Sequence, residues 1–582
     1  MPPISNNNPQ DQVEILPFCY KIKISILPLI ITGRIKTATL RLKFTISKIF
    51  FLLLLAVSFE ATAQQQIIGV PSSGDTVRSI RIVQGKSLRL ITIDTATSLE
   101  TIAGDVIIKE GLTTFYCDSA TINRKTNIVE AYGNIHINDN DSIHTYAQSL
   151  RYVGADRIAY LKKNVKLTDK KGTLYTDDLE YNLRTGIATY KNGGRIVNEK
   201  TVLTSRDGVY YADTKDVYFK NNVHLKDPDR DIWTDSLLYN VKTNIATFIS
   251  KTRIVGKDGS VITTKSGTYN LATGEAIFSG RPTFSDSSRS ATADIMAYDK
   301  KTDVLQLEGN AKFVDSVNNI TILGGQIFAD GKVKSFLATR KPVMIIYRDG
   351  DSTYMAADTL FSGLRKYDSL ERRTITQTDT LKKTMVVNTK SADTSIRYFI
   401  GFHHVRIYND SLQAVSDSLH YSTIDSTFKL FGDPVVWNDS SQVTGDTLYV
   451  FTQNQKPKRL YVFNNGLIIN KTREGMFNQI GGRTLNGYFV DGSIDYVRVK
   501  GSPAESIFYP QDDDSAYIGM NRSSGDVIDV YFVKKELNKV KFVNNVDGIL
   551  YPIKEIPSDK KQLRGFKWLN NRRPKTWLEL FE

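Results

Sequence analysis

The sequence predicts an all-β protein, an elongated, solenoid-like pair of facing sheets built from a roughly 29-residue repeat of two strands. Three observations carry that prediction. One tyrosine recurs at Tyr152, Tyr181, Tyr210, Tyr239, Tyr269 and Tyr298, at intervals of 29, 29, 29, 30 and 29. Its surroundings recur with it: Thr176-Asp177-Asp178-Leu179-Glu180-Tyr181-Asn182 matches Thr234-Asp235-Ser236-Leu237-Leu238-Tyr239-Asn240, with weaker copies near Cys117, Ser416 and Gly445. Each unit also holds a short alternating strand after a Gly/Asn-rich kink, as in Gly133-Asn134-Ile135-His136-Ile137 and Asn221-Asn222-Val223-His224-Leu225. Apolar residues at i and i+2 around a polar one put one face inward and one in water.

From the N-terminus, residues 1–40 resemble no domain and read as a leader or an upstream extension. Residues 41–63 read as a secretory signal: a basic stretch from Arg41 to Lys48, the apolar run Ile49 to Phe59, then Ala61-Thr62-Ala63 for cleavage before Gln64. That run is shorter than the roughly 20 residues a spanning helix needs. No cysteine follows it closely, so a lipidated N-terminus is not expected. Residues 64–114 lead into the array, and 115–360 form its clean part. Residues 361–395 are polar and charged and break the period, as a long loop or insertion would. Repeats resume over 396–475. Residues 476–582 read as irregular β repeats ending in a cap, with Arg564 to Phe581 closing the last edge or forming a short helix. Two strands per unit cannot bury an apolar face alone, so units stack. One strand per unit in each sheet would advance the array about 4.8 Å.

Composition agrees with strands: 41% of residues are hydrophobic and 10% aromatic, with 29 Tyr and 27 Phe. Net charge is +14; residues 1–63 carry seven Lys/Arg and three Asp/Glu, which leaves 14 − 4 = +10 for the remainder. That balance suits a polyanionic partner such as an anionic glycolipid or polysaccharide, and a secreted chain is not expected to meet nucleic acid. Only Cys117 lies beyond the signal, so no internal disulfide is expected there.

No catalytic constellation is read from the sequence, and neither an enzyme nor a cofactor is expected. His136 and His224 share one repeat position between inward residues and should face water. His403-His404 has no acidic or cysteine partner at zinc spacing. Asp512-Asp513-Asp514 and Asn138-Asp139-Asn140-Asp141 lack the spacing of a calcium loop. Asp118, Asp177 and Asp235 recur with the repeat, which marks a structural device such as a side-chain bond to a turn.

The Gly-Asn-Val-x-Leu strands, the Thr-Asp-x-Leu-x-Tyr strands and the signal directly before them resemble the OstA/LptA family of lipopolysaccharide-transport proteins. The resemblance covers residues 115–330 well and 396–470 moderately. It implies a β-jellyroll in the periplasm that holds the acyl chains of lipopolysaccharide between its sheets. It further implies stacking by open edge strands with other lipopolysaccharide-transport proteins at either end, and the same edges would allow a homo-oligomer. This chain is much longer than a typical bridge component. It also lacks the long C-terminal run of membrane strands found in the outer-membrane member. Burying an acyl chain gains about 0.8 kcal/mol per CH₂, and the inward residues expected to line such a trough are Ile135, Ile137, Val165, Leu167, Leu179, Val223, Leu225, Leu237 and Phe313. Two other readings stand beside it, a polysaccharide-binding or -degrading β-solenoid and a structural repeat of the cell envelope.

Overall fold

A computed structural model describes residues 80–366 and 395–582, apart from turn positions 95–96, 349–350, 411, 423, 439, 454–455, 491–492, 513–515 and 534–535. The expected leader, signal and first residues of the 64–114 segment, most of the 361–395 insertion, and Asp513-Asp514 lie outside the described residues. The chain divides into Met1–Thr76 and Val77–Glu582, and the strands belong to the second unit.

Described residues are strands joined by short turns, with two 3-10 turns at Ser558–Lys560 and Trp577–Phe581. Thr97–Glu110, Thr113–Asn123, Ile128–Asp139, Ile143–Val153, Ile158–Thr168 and Thr173–Asn182 each pair antiparallel with the next. Every pairing is interrupted once near its middle, between Tyr116 and Ser119, Tyr132 and Ile135, Tyr146 and Ser149, and Lys162 and Val165. Farther along, the interruption splits a rung in two. Ile187–Tyr190 pairs with residues 179–182, while Gly194–Asn198 pairs with residues 173–176.

The result is one continuous ladder folded lengthwise into two facing halves. Each 29-residue unit is a hairpin whose two arms both cross the fold, so a unit adds two strands to each half. This corrects the expectation of one strand per sheet and doubles the advance, to about 9.6 Å per unit. The ladder starts at Arg81–Gln84 and Ser87–Asp94, earlier than expected, and runs unbroken to Asp547–Pro552. Residues 361–366 belong to a strand that pairs with Ser395–Tyr408, so the interruption is shorter than 361–395.

The fold line is written in the sequence as paired residues with positive φ. Gly133 and Asn134 have φ of 77° and 41°, Asn221 and Asn222 63° and 56°, and Gly309 and Asn310 75° and 43°. Left-handed backbone is tolerated best by Gly and Asn, which explains the Gly-Asn and Asn-Asn signature. An aspartate in the neighbouring rung secures each corner: Asn134 donates to Asp118 (3.0 Å), Asn221 to Asp207 (2.6 Å), Asn310 to Asp294 (2.8 Å) and Asn465 to Asp446 (3.0 Å). Asp177 accepts from the backbone N–H of Asn164 at 3.3 Å. Recurrent aspartates at this position are therefore corner ties. His403-His404 is a corner as well, with φ of 56° and 51° and ring contacts to Asp417 (3.1 Å) and Asp358 (2.9 Å). The expectation that this pair lacked acidic partners fails because both carboxylates come from adjacent rungs. Among the described residues no group of three or more His, Cys, Asp or Glu side chains is placed to hold a metal ion.

Residues 553–582 form no strand. They run back as a strap over the outer face of the half opposite the tyrosine series. Gln479 donates to the Lys561 carbonyl (2.8 Å) and accepts from the Leu563 N–H (2.8 Å). Gln442 repeats the clamp on Lys567 and Leu569, at 2.7 Å each. Arg406 holds the carbonyls of Glu579 and Leu580, and Leu580 is buried against Val343, Ile345 and Ala356. The end of the chain thus covers a sheet face far from the last rung.

Candidate functional site: the interior and its mouth

The inner faces of the two halves meet in one continuous apolar cluster from Ile80 to Val530. All of the trough candidates belong to it. Ile135, Ile137, Val165, Val223, Leu225 and Leu237 are at most 1% exposed, Leu167 and Leu179 3%, and Phe313 7%. Alternation puts them there, each flanked by outward residues in patterns such as BiB over Val165 to Leu167.

Opposite the fold line, the turns form two lips. On one lip, backbone hydrogen bonds link Leu183 to Arg157, Ala212 to Gly186, Val241 to Lys215 and Leu271 to Asn244. On the other, the Lys257 N–H donates to Asp229. Between the lips runs the recurrent tyrosine series. Tyr152 donates to Glu110, Tyr181 to Asp139 (3.1 Å) and Tyr210 to Asp169 (2.5 Å). Asn198 donates to the Tyr239 hydroxyl at 3.0 Å, and that hydroxyl donates to Asn244 at 2.8 Å. The partners lie 42, 42, 41 and 41 residues apart, so each bond joins rungs three steps apart along the ladder, across the mouth.

These side chains are the feature of the mouth that sequence reading missed. The tyrosines were legible as a register mark, but their partners Glu110, Asp139, Asp169 and Asn198 were not, although they recur at 29, 30 and 29 residues. Burial raises the hydroxyls of Tyr152, Tyr181 and Tyr210 far above the ordinary tyrosine range, and the adjoining carboxylates add to it. Each hydroxyl therefore stays a neutral donor. Burial also pushes the Asp169 carboxyl up, but bonds from Tyr210, the Gly172 N–H and Lys215 outweigh it and hold the group below its usual range. Lys215 stands 3.1 Å from Asp169, and Arg157 is 3.6 Å from Glu110. Hydrogen bonds to charged groups contribute roughly 1.5–3 kcal/mol each.

A small cleft with room for about one water molecule lies at the Tyr210–Asp169 pair, open to solvent and lined by Leu167, Leu174, Ile196, Val217 and Val241. Beyond Tyr239 the chemistry of the mouth changes. The Tyr269 ring packs under Arg230, 4.4 Å from its centre, and the Tyr298 hydroxyl donates to Asp303 on its own lip.

The outer face of the half opposite the tyrosines holds the recurrent histidines. His136 stacks between Tyr116 (5.2 Å) and Tyr146 (4.5 Å) and bonds His144 at 3.1 Å. His224 stacks on Trp233 at 5.1 Å and bonds Asp231 at 3.0 Å. Both point outward but are half-buried under cross-strand neighbours rather than facing open water.

Comparison with known proteins finds lipopolysaccharide-transport families. A family model described as OstA-like protein matches residues 79–235, and one described as LptA/(LptD N-terminal domain) LPS transport protein matches residues 203–334. No curated protein matches the chain. Among 22 matching chains of solved structures is LptH of Pseudomonas aeruginosa, described as the LptA-homologous periplasmic component of the lipopolysaccharide transport device. It is 16% identical over 25% of this chain and 83% of its own, with a TM-score of 0.14, and that overlay carries no argument about shape. The family matches rest on the residues that fold into corners, lips and interior: over residues 79–334 this chain is OstA/LptA-like, matching the models of lipopolysaccharide-transport proteins.

Proposed function

We propose that this protein carries lipopolysaccharide through the periplasm, with the acyl chains held between the two halves of the folded sheet. The observation that carries the reading is the single unbroken apolar interior, running from Ile80 to Val530 and bounded on one side by a mouth without backbone cross-links among the described residues. Each buried CH₂ of an acyl chain contributes about 0.8 kcal/mol, so several chains repay the parting of the inner faces. The family is one of transport components, not of enzymes.

The ends fit the same reading. Among the described residues Ser87–Asp94 pairs on one side only, and its Leu88, Leu90 and Ile93 are 65%, 64% and 62% exposed. An apolar strand with a free edge invites strand addition by a like domain. Partners of the same transport family, or a second copy, would dock there.

The test is lipid content. Full-length protein purified from the envelope is expected to carry extractable lipopolysaccharide, and Val165→Arg and Leu237→Arg are expected to lower it on the order of tenfold, one buried charge outweighing several CH₂ groups. Lys166→Arg, on the outer face, leaves it unchanged. Equal lipid in all four proteins, with circular dichroism showing intact strands, contradicts the reading.

A further inference from the structure

The two lips of the mouth are built as separate rails. Backbone hydrogen bonds join turn to turn along one lip from Asn127 to Leu271, and at Asp229 and Lys257 on the other, and among the described residues only side chains reach across. Over residues 110–244 those side chains are the four tyrosine pairs, Glu110–Tyr152, Asp139–Tyr181, Asp169–Tyr210 and Asn198–Tyr239, joined by Lys215 on Asp169, Arg157 beside Glu110, and further bonds from Asn198 to Asn244 and the Val241 carbonyl. The opposite long side is closed by continuous strands bent at positive-φ corners, which can serve as the hinge. The cleft lined by Leu167, Leu174, Ile196 and Val217 opens at the third pair, so solvent already meets the apolar interior beside a latch.

From this we infer that the mouth between residues 110 and 244 is a lateral entry site for acyl chains, and that the tyrosine pairs are its latches. Chains pass sideways between the rails when the pairs part, rather than threading the array from an end. A neutral hydroxyl on a carboxylate suits that role, because both groups find water when the mouth opens and re-form one another's bond when it closes. Lys215 and Arg157 stand beside two of the carboxylates. With the latches open, those cations would be free to meet the phosphates of a lipid headgroup at the rim. The inference rests on the acyl-binding reading proposed above.

The experiment separates the two. In a Cys19→Ser/Cys117→Ser background of the full chain, Asp139→Cys/Tyr181→Cys and Asp169→Cys/Tyr210→Cys pairs are joined across the mouth by a short, reducible bifunctional thiol reagent. Uptake of a fluorescent long-chain fatty acid is then followed by its emission. Bridged protein is expected to load at least about tenfold more slowly than the same cysteines capped singly, with reduction restoring the rate. Independently, Tyr152→Phe and Tyr210→Phe, which keep the rings, are expected to load on the order of tenfold faster, the factor that loss of one charge-assisted bond per latch implies. Bridged protein that loads as fast as capped protein, or phenylalanine variants with unchanged rates, overturns the gate while leaving acyl binding intact. Failure of the unmodified protein to take up the probe at all overturns both.

Discussion

Replacing Trp437 with alanine is expected to destabilise its region by about 3–5 kcal/mol. The indole is fully buried, yet it lies outside the main interior, packed with Val415 and Val435 under Leu569 of the strap. Its ring N–H donates to Gln442 (3.3 Å), the same side chain that clamps Lys567 and Leu569. Truncation removes both the floor under the strap and the group that orients the clamp. In a stacked array each rung contacts chiefly its neighbours, so the effect should be read locally. Amide exchange at Leu569 should accelerate, and protease should release residues 553–582 before cutting the N-terminal rungs. Unchanged strap protection would mean that this segment is held by other contacts.

Phe278→Ala is the second large loss, again about 3–5 kcal/mol, and it probes the interior itself. Phe278 is fully buried, stacks on Phe248 with ring centres 6.3 Å apart, and pairs across the ladder with Met296. On its other side it pairs with Gly267, where an added Cβ would come within 2.4 Å of the Ile277 carbonyl oxygen. Glycine there leaves room for the ring. Exchange should quicken over residues 245–308 and stay unchanged near the strap. A uniform fall in protection along the whole ladder would show that the array melts as one unit rather than rung by rung.

Much of this architecture can be read in the residues. The Tyr152-to-Tyr298 spacing gives the register, and the Gly-Asn and Asn-Asn pairs mark the positions that the structure turns into corners. The trough candidates are inward because alternation at period two leaves no other choice. What stayed hidden depends on contacts longer than one unit. A hairpin whose arms both cross the fold reads, in sequence, like two strands assigned to separate sheets, so the rise per unit came out at half its value. Latch partners sit 41 or 42 residues apart and so fall outside any comparison of one unit with the next. His403-His404 seemed unpartnered because Asp358 lies 46 residues away. The strap was illegible for a different reason. Gln413, Gln442 and Gln479 look like solvent-facing polar residues, yet each is at most 4% exposed and bonds a segment that has no period of its own.

Photocrosslinking in living cells tests the central claim most directly. A photoreactive residue at Val165 or Leu237, both at most 1% exposed on the inner face, should give an adduct with lipopolysaccharide. The same residue at Lys166, one position along and on the outer face, should give none. Adducts from the inner positions alone are the predicted result. No adduct from any inner position, or equal adducts from Val165 and Lys166, would contradict a lipid path between the two halves of the sheet.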